Sequence, residues 1–189
     1  MVSRLKSWVA GALGVLLALN WICSTATAHE IRPAIIAIEA RDAGLVQLDV
    51  TVNLEALIAG IGPDHAESDS SPNAQSYNAL RELPAGRLAE RFRAHAPTWI
   101  NGIVLTVDGP VAPLALSVID VPEVGNTKLA RISKVTLATA PLPGATTFTL
   151  AYDRAFGSSV VRSRDADGKT SPDYPYKSAF RHDRLIGHV

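Results

Sequence analysis

Residues 45–54 read Leu45-Val46-Gln47-Leu48-Asp49-Val50-Thr51-Val52-Asn53-Leu54. Val46, Leu48, Val50, Val52 and Leu54 alternate with Gln47, Asp49, Thr51 and Asn53. An apolar period of two, carried largely by β-branched side chains, predicts a strand with one buried and one wet face. Just upstream, Ile31–Ala40 is a second apolar stretch, separated from the first by Asp42-Ala43-Gly44. Two strand-like runs around so short a polar break predict a β-hairpin.

The same reading extends along the chain. Ile103, Leu105 and Val107 alternate up to Asp108-Gly109-Pro110, and Leu114, Leu116 and Val118 resume the pattern beyond that turn. Lys128–Ala138 reads as a strand whose apolar phase slips between Ile132 and Val135, which predicts a bulge there. Phe148, Leu150 and Tyr152 point one way after Pro141-Leu142-Pro143-Gly144, and Val160-Val161 reads as a further short strand. Strands at this spacing, with turn chemistry between them, predict a mainly β fold: an antiparallel, Ig-like β-sandwich.

A helical insertion around residues 54–96 interrupts this pattern. Leu54–Ile61 reads as a short helix closed by Gly60 and Gly62, and 63–73 as a polar surface loop. Ser76–Leu83 and Pro84–His95 read as two helical pieces, the second with Leu88, Phe92 and His95 on one face at i, i+4 and i+7.

Of 189 residues, 47% are hydrophobic and 19% charged, with 18 basic and 18 acidic side chains. That balance lacks the basic excess expected of a nucleic-acid-binding surface. It is too apolar for a disordered chain. Residues 1–28 have the make-up of a cleavable export signal: Arg4 and Lys6, the apolar run Trp8–Leu19, then Thr25-Ala26-Thr27-Ala28. The run falls short of the roughly 20 residues of a membrane span. Cleavage after Ala28 would give a periplasmic chain with no transmembrane segment, and would remove Cys23, the one cysteine. The expected organisation is a signal peptide over 1–28, a β-sandwich with its helical insert over 29–162, and a poorly ordered or edge-strand tail over 163–189.

Few residues have the spacing that chemistry requires. Cleavage would make His29 the new N-terminus, where an α-amine and imidazole can chelate copper or nickel if a second imidazole comes from His65, His95, His182 or His188. Asp165-x-Asp167-Gly168 opens like a calcium loop, but Tyr176 stands where the bidentate Glu is needed. Gly157-Ser158-Ser159 is not a nucleophile elbow, and Gly60-x-Gly62 lacks the third glycine of a dinucleotide fingerprint. Asp120 and Glu123 flank Pro122, the composition of a turn. The expectation is a non-catalytic domain.

Several stretches together resemble the exported N-terminal region of HupE/UreJ-type membrane proteins. These are His29-Glu30-Ile31-Arg32-Pro33-Ala34, Asn53-Leu54-Glu55-Ala56-Leu57-Ile58-Ala59-Gly60-Ile61, Tyr77-Asn78-Ala79-Leu80-Arg81 leading to Arg91-Phe92, and Asp120-Val121-Pro122-Glu123-Val124-Gly125. The resemblance covers about residues 29–162. It implies a periplasmic domain associated with a multi-helix membrane protein of nickel or related metal supply, and hence an envelope or membrane partner, such as a metal transporter. It differs from that pattern in having no apolar stretch after Arg162 long enough to span a membrane. The contrasting reading is a copper- or nickel-binding protein, or an oxidative enzyme, built on His29.

Overall fold

The computed structural model describes residues 32–41, 44–62, 71–164 and 185–188. Among the described residues the fold is mainly β, with 37% strand and 29% helix, in two sheets that are mostly antiparallel and not closed. Strands β1 (Ala34–Arg41) and β2 (Leu45–Val52) form the predicted hairpin, with Ile36 opposite Val50 and Ile38 opposite Leu48. Three helices follow: α1 (Leu54–Ala59), α2 (Ala74–Arg81) and α3 (Ala85–Asn101). The remaining strands are β3 (Ile103–Val107), β4 (Ala115–Asp120), β5 (Ser133–Ala138), β6 (Thr147–Tyr152), β7 (Ser159–Arg164) and β8 (Leu185–His188).

The larger sheet has the order β4-β5-β2-β1-β7, and the smaller β3-β6-β8. β7 runs parallel to β1, the one parallel pairing among the described strands. One apolar core joins the two sheets and the helices. Ile36, Leu48, Val50, Val135 and Leu137 come from the first sheet, Leu105 and Leu150 from the second, and Leu88, Phe92 and Trp99 from α3. The alternation read from Val46 to Val52 is therefore the inward face of a central strand, whereas Leu54, read as its continuation, is the first residue of α1.

Three expectations, on the bulge, on the end of the helical insertion and on Pro84, need correction, and the two strands around Asp108 go to different sheets. The turn at Asp108 does start a hairpin, with Thr106 bridging Val111, but β3 takes β6 as its long partner and β4 joins the other sheet. Pro113 has no N–H to continue the ladder, so the chain leaves the hairpin there. The bulge lies in β4, between Leu116 and Val118, rather than between Ile132 and Val135. The extra residue turns Val118 outward, 51% exposed, while β5 is regular and begins only at Ser133. The helical insertion also runs past residue 96, because α3 continues through Pro97 to Asn101. Pro97 and Arg93 both face water, so solvent can take the carbonyl that the proline leaves unpaired, while the next turn buries Trp99 completely. Finally, Pro84 is the N-cap of α3, with extended ψ, rather than a residue of its first turn.

Aromatic packing joins α3 to the smaller sheet. Phe92 and Trp99 meet edge to face at 5.4 Å, and the Trp99 indole donates to the Tyr152 hydroxyl at 3.3 Å. Burial pushes the Tyr152 phenol up to about 12. Tyr152 in turn packs edge to face on Phe156 at 5.6 Å.

The tight turn into β2 depends on Gly44, whose φ is +75° and whose missing Cβ would collide with the Leu142 carbonyl. Gly144 has a similar φ, +79°, but open space around it. Gly144→Ala should therefore cost only the strain of a left-handed alanine, about 1 kcal/mol. Gly44→Ala adds a backbone clash and should cost about 3 kcal/mol or more. Urea unfolding followed by Trp99 fluorescence separates the two, and equal costs would contradict the clash.

Candidate functional site

The positions singled out in the sequence do not assemble. His29, His65, His182 and the Asp165–Gly168 turn lie outside the described residues. His188 ends β8 opposite Thr147 in the smaller sheet. His95 is half-buried on α3 beside the Phe92 ring, 6.5 Å between centroids, and its Nε2 is buried without a hydrogen-bond partner. Burial pulls its pKa below 6.5. Asp120 ends β4 opposite Lys134, while Glu123 is exposed in the following loop. Gly60 closes α1: Ile61 N–H donates to the Ala56 carbonyl and Gly60 N–H to that of Leu57, the paired pattern of a Schellman cap. Among the described residues, no three His, Cys, Asp or Glu side chains are grouped so as to hold a metal ion.

What the fold does assemble is a buried polar cluster around α1. Asn53 caps that helix by accepting from Ala56 N–H at 3.0 Å, and donates through Nδ2 to the Tyr77 hydroxyl of α2 at 2.9 Å. Glu55, in the first turn, suits the positive end of the helix and is fully buried. Its partner is Arg131, whose Nε donates to Glu55 Oε1 at 2.7 Å with only 8% of the arginine side chain exposed.

The remainder of that guanidinium is also used. Nη1 donates to the Leu83 carbonyl at 3.0 Å and to that of Pro122 at 3.4 Å, and Nη2 to that of Leu80 at 3.3 Å. Four of its five N–H groups thus reach α1, the end of α2, the α2–α3 linker and the loop after β4. A second arginine lies nearby in the same layer. Arg81, 7% exposed, sits 5.1 Å from the Tyr77 ring centre, donates to Asn78 at 3.2 Å and reaches the Leu129 carbonyl at 3.5 Å. Glu55 Oε2, Arg81 Nε and the hydroxyl of Ser133 are buried without hydrogen-bond partners among the described residues.

Strand register explains how distant residues meet. The β2–β5 pairing ends with Val52 opposite Ser133, and the two chains leave the sheet together, one into α1 and the other back toward Arg131. Neither Glu55 nor Arg131 was singled out by its spacing. The available signal was Glu55 itself, a charge inside the apolar segment Leu54–Ala59. A buried carboxylate requires a cationic partner from elsewhere in the chain.

A different polar group sits on the opposite face of the larger sheet. Asp49 accepts from Thr136 at 2.8 Å, from Gln47 at 3.1 Å and from Lys134 at 2.9 Å. Burial pushes its carboxyl up, but these hydrogen bonds and the Lys134 charge outweigh that and hold it below 3.8. No protein-family model matches the chain, and no curated protein matches it.

Two outcomes test this electrostatic description. Glu55→Gln leaves the buried guanidinium uncompensated and should cost about 3–5 kcal/mol, whereas the double variant Glu55→Leu/Arg131→Met should recover most of that loss. Additive costs in the double-mutant cycle would contradict a coupled pair. Separately, His95 and Asp49 both have lowered pKa values in the folded state, so the unfolded chain takes up protons first as pH falls. Stability should decline below about pH 6.5 and again below about pH 4, with His95→Gln flattening the upper step and Asp49→Asn the lower. Denaturant midpoints measured across pH 3–8 read both steps.

Proposed function

We propose that the chain is a non-catalytic, exported domain that acts in the periplasm by contacting an envelope or membrane protein, as the extracytoplasmic part of HupE/UreJ-type proteins would. One observation carries the reading. The internal stretches that bear the resemblance, 53–61, 77–81 and 120–125, supply residues that are cross-linked to one another through Asn53, Tyr77 and Arg131. A set of residues scattered along the chain but joined in one polar cluster belongs to an architecture. In this reading the two sheets are a variant of an Ig-like sandwich, supported by the core they share. The Glu55 carboxylate and the Arg131 fork are committed to one another, which suits a scaffold for presenting a surface.

Export is tested by expressing the full chain in a Gram-negative host. Processing should place the product in the periplasmic fraction with His29 as its first residue. An unprocessed cytosolic product would overturn the reading. The metal-based alternative is tested on the processed chain by titrating Cu(II) and Ni(II) against a variant extended by one alanine before His29. The partner reading expects no difference between them, and submicromolar binding abolished by the extension would replace it with a metal-binding function.

A further inference from the structure

We infer that the chain closes an internal ester cross-link between β2 and β5, in which the Thr136 hydroxyl displaces ammonia from the Gln47 side-chain amide with Asp49 as proton carrier. The observation behind it is the sharing of one oxygen. Asp49 Oδ1 accepts from the Thr136 hydroxyl at 2.8 Å and from Gln47 Nε2 at 3.1 Å. A nucleophile, a proton acceptor and the nitrogen that must leave therefore meet at a single atom. A carboxylate that only braced Thr136 across the strands would not also touch that nitrogen. Strand register produces the arrangement: Thr136 stands opposite Asp49, and Gln47, two residues back along β2, is a diagonal neighbour of Thr136 within reach of a long side chain. Lys134 Nζ binds the other carboxylate oxygen at 2.9 Å and fixes the rotation of the group.

The step balances within the chain. Thr136 Oγ attacks Gln47 Cδ, and its proton passes to Asp49 Oδ1. The Cδ–Nε2 bond then breaks, and the nitrogen takes that proton from Oδ1 and departs as ammonia. One C–O bond has replaced one C–N bond, the carboxylate is restored, and no oxidant, reductant or cofactor is consumed. A carboxylate is a weak base toward an alcohol, but the reaction occurs once per chain, and holding the groups in contact substitutes for base strength. Asp49 and Thr136 are 8% and 9% exposed although they lie on the outer face of the sheet, which limits the access of water to the product ester.

An amide between Lys134 and Asp49 is the competing cross-link of the same two strands. It requires an uncharged amine and a protonated acid. The Lys134 side chain is half-exposed, and against the burial that opposes them Lys134, Thr136 and Gln47 hold Asp49 ionised. The carboxylate is thus the proton carrier, and the neutral Gln47 amide is the acyl donor. Cys23 is the one cysteine in the sequence, so a covalent link within the chain has to come from chemistry other than a disulfide. The inference does not depend on the partner reading proposed above.

Intact-mass spectrometry of the full chain, fresh and after prolonged incubation at neutral pH, tests it. The expected result is a species lighter than its residues sum to by one ammonia, accumulating with time. Its digest should contain one branched peptide joining Gln47 to Thr136, and hydroxylamine should cleave that link. Thr136→Ser keeps a hydroxyl and should keep the reaction. Thr136→Val, of nearly the same shape, and Asp49→Asn should abolish it, with circular dichroism reporting that each variant folds. Gln47→Met removes the acyl carbon while leaving Thr136 and Asp49 in place, and should abolish it as well. A mass that never falls would overturn the inference. Ammonia loss that persists in Thr136→Val would also overturn it, since that marks a cyclised asparagine such as Asn101 before Gly102. Loss of one water, with Lys134 joined to Asp49, would replace the ester by the competing amide.

Discussion

The ion pair between Glu55 and Arg131 is the constraint around which the helical layer is arranged. Burying either charge alone carries a desolvation penalty of several kcal/mol, so each residue requires the other at hydrogen-bond distance. They are separated by 76 positions in sequence and meet at 2.7 Å. That contact needs the β2–β5 register to be correct, α1 to begin directly after β2, and the loop before β5 to return over the helices. A one-residue slip between β2 and β5 would turn the inward side chains of one strand outward and move Arg131 off Glu55 at the same time. Sheet register and helix placement are thereby checked by the same interaction.

The elements that were legible in the sequence are those whose signal is local. The alternation of residues 46–52, the hairpin of strands on either side of residues 42–44 and the 103–107 strand each carry their evidence within ten residues, and all three elements are present in the fold. The misread elements are those where a long-range partner outweighs a local signal. Pro97 argues for a helix end, yet complete burial of Trp99 extends α3 past it. Val118 continues an apparent alternation, yet the ladder to β5 takes up an extra residue in β4. The pairing within the polar cluster was not legible for the same reason, although the charge of Glu55 inside an apolar segment signals that a partner is needed. Glu55 and Arg131 have no fixed spacing, and only the folded register brings them together.

Stability alone does not explain why the cluster is polar. Well-packed apolar residues in place of a buried ion pair generally preserve or improve stability. This domain has an otherwise apolar core, with Ile36, Leu48, Val50, Leu54, Leu88, Phe92 and Trp99 essentially removed from water. An apolar contact at position 131 would have held α1 against β5 equally well. It would not have held carbonyl oxygens, because only a donor fork can choose among the Leu80, Leu83 and Pro122 main-chain groups and fix each in direction. The arginine therefore supplies orientation of irregular backbone, something hydrophobic burial, which is non-directional, does not provide.

The distribution of that orientation within the molecule is informative. The regular strands need little beyond their ladders, and the outer face of the larger sheet adds only local groups such as Lys134, Asp49 and Thr136. The segment between β4 and β5, where no ladder holds the chain, is instead fastened through arginines: its own Arg131 reaches Glu55, Leu80, Leu83 and Pro122, and Arg81 of α2 reaches the Leu129 carbonyl. Among the described residues, three of the four buried polar side-chain atoms without partners, Glu55 Oε2, Arg81 Nε and Ser133 Oγ, belong to this same region, so its geometry is maintained against an unrecovered cost. A fold that concentrates its most expensive interactions beneath one exposed loop constrains that loop more tightly than its own stability requires.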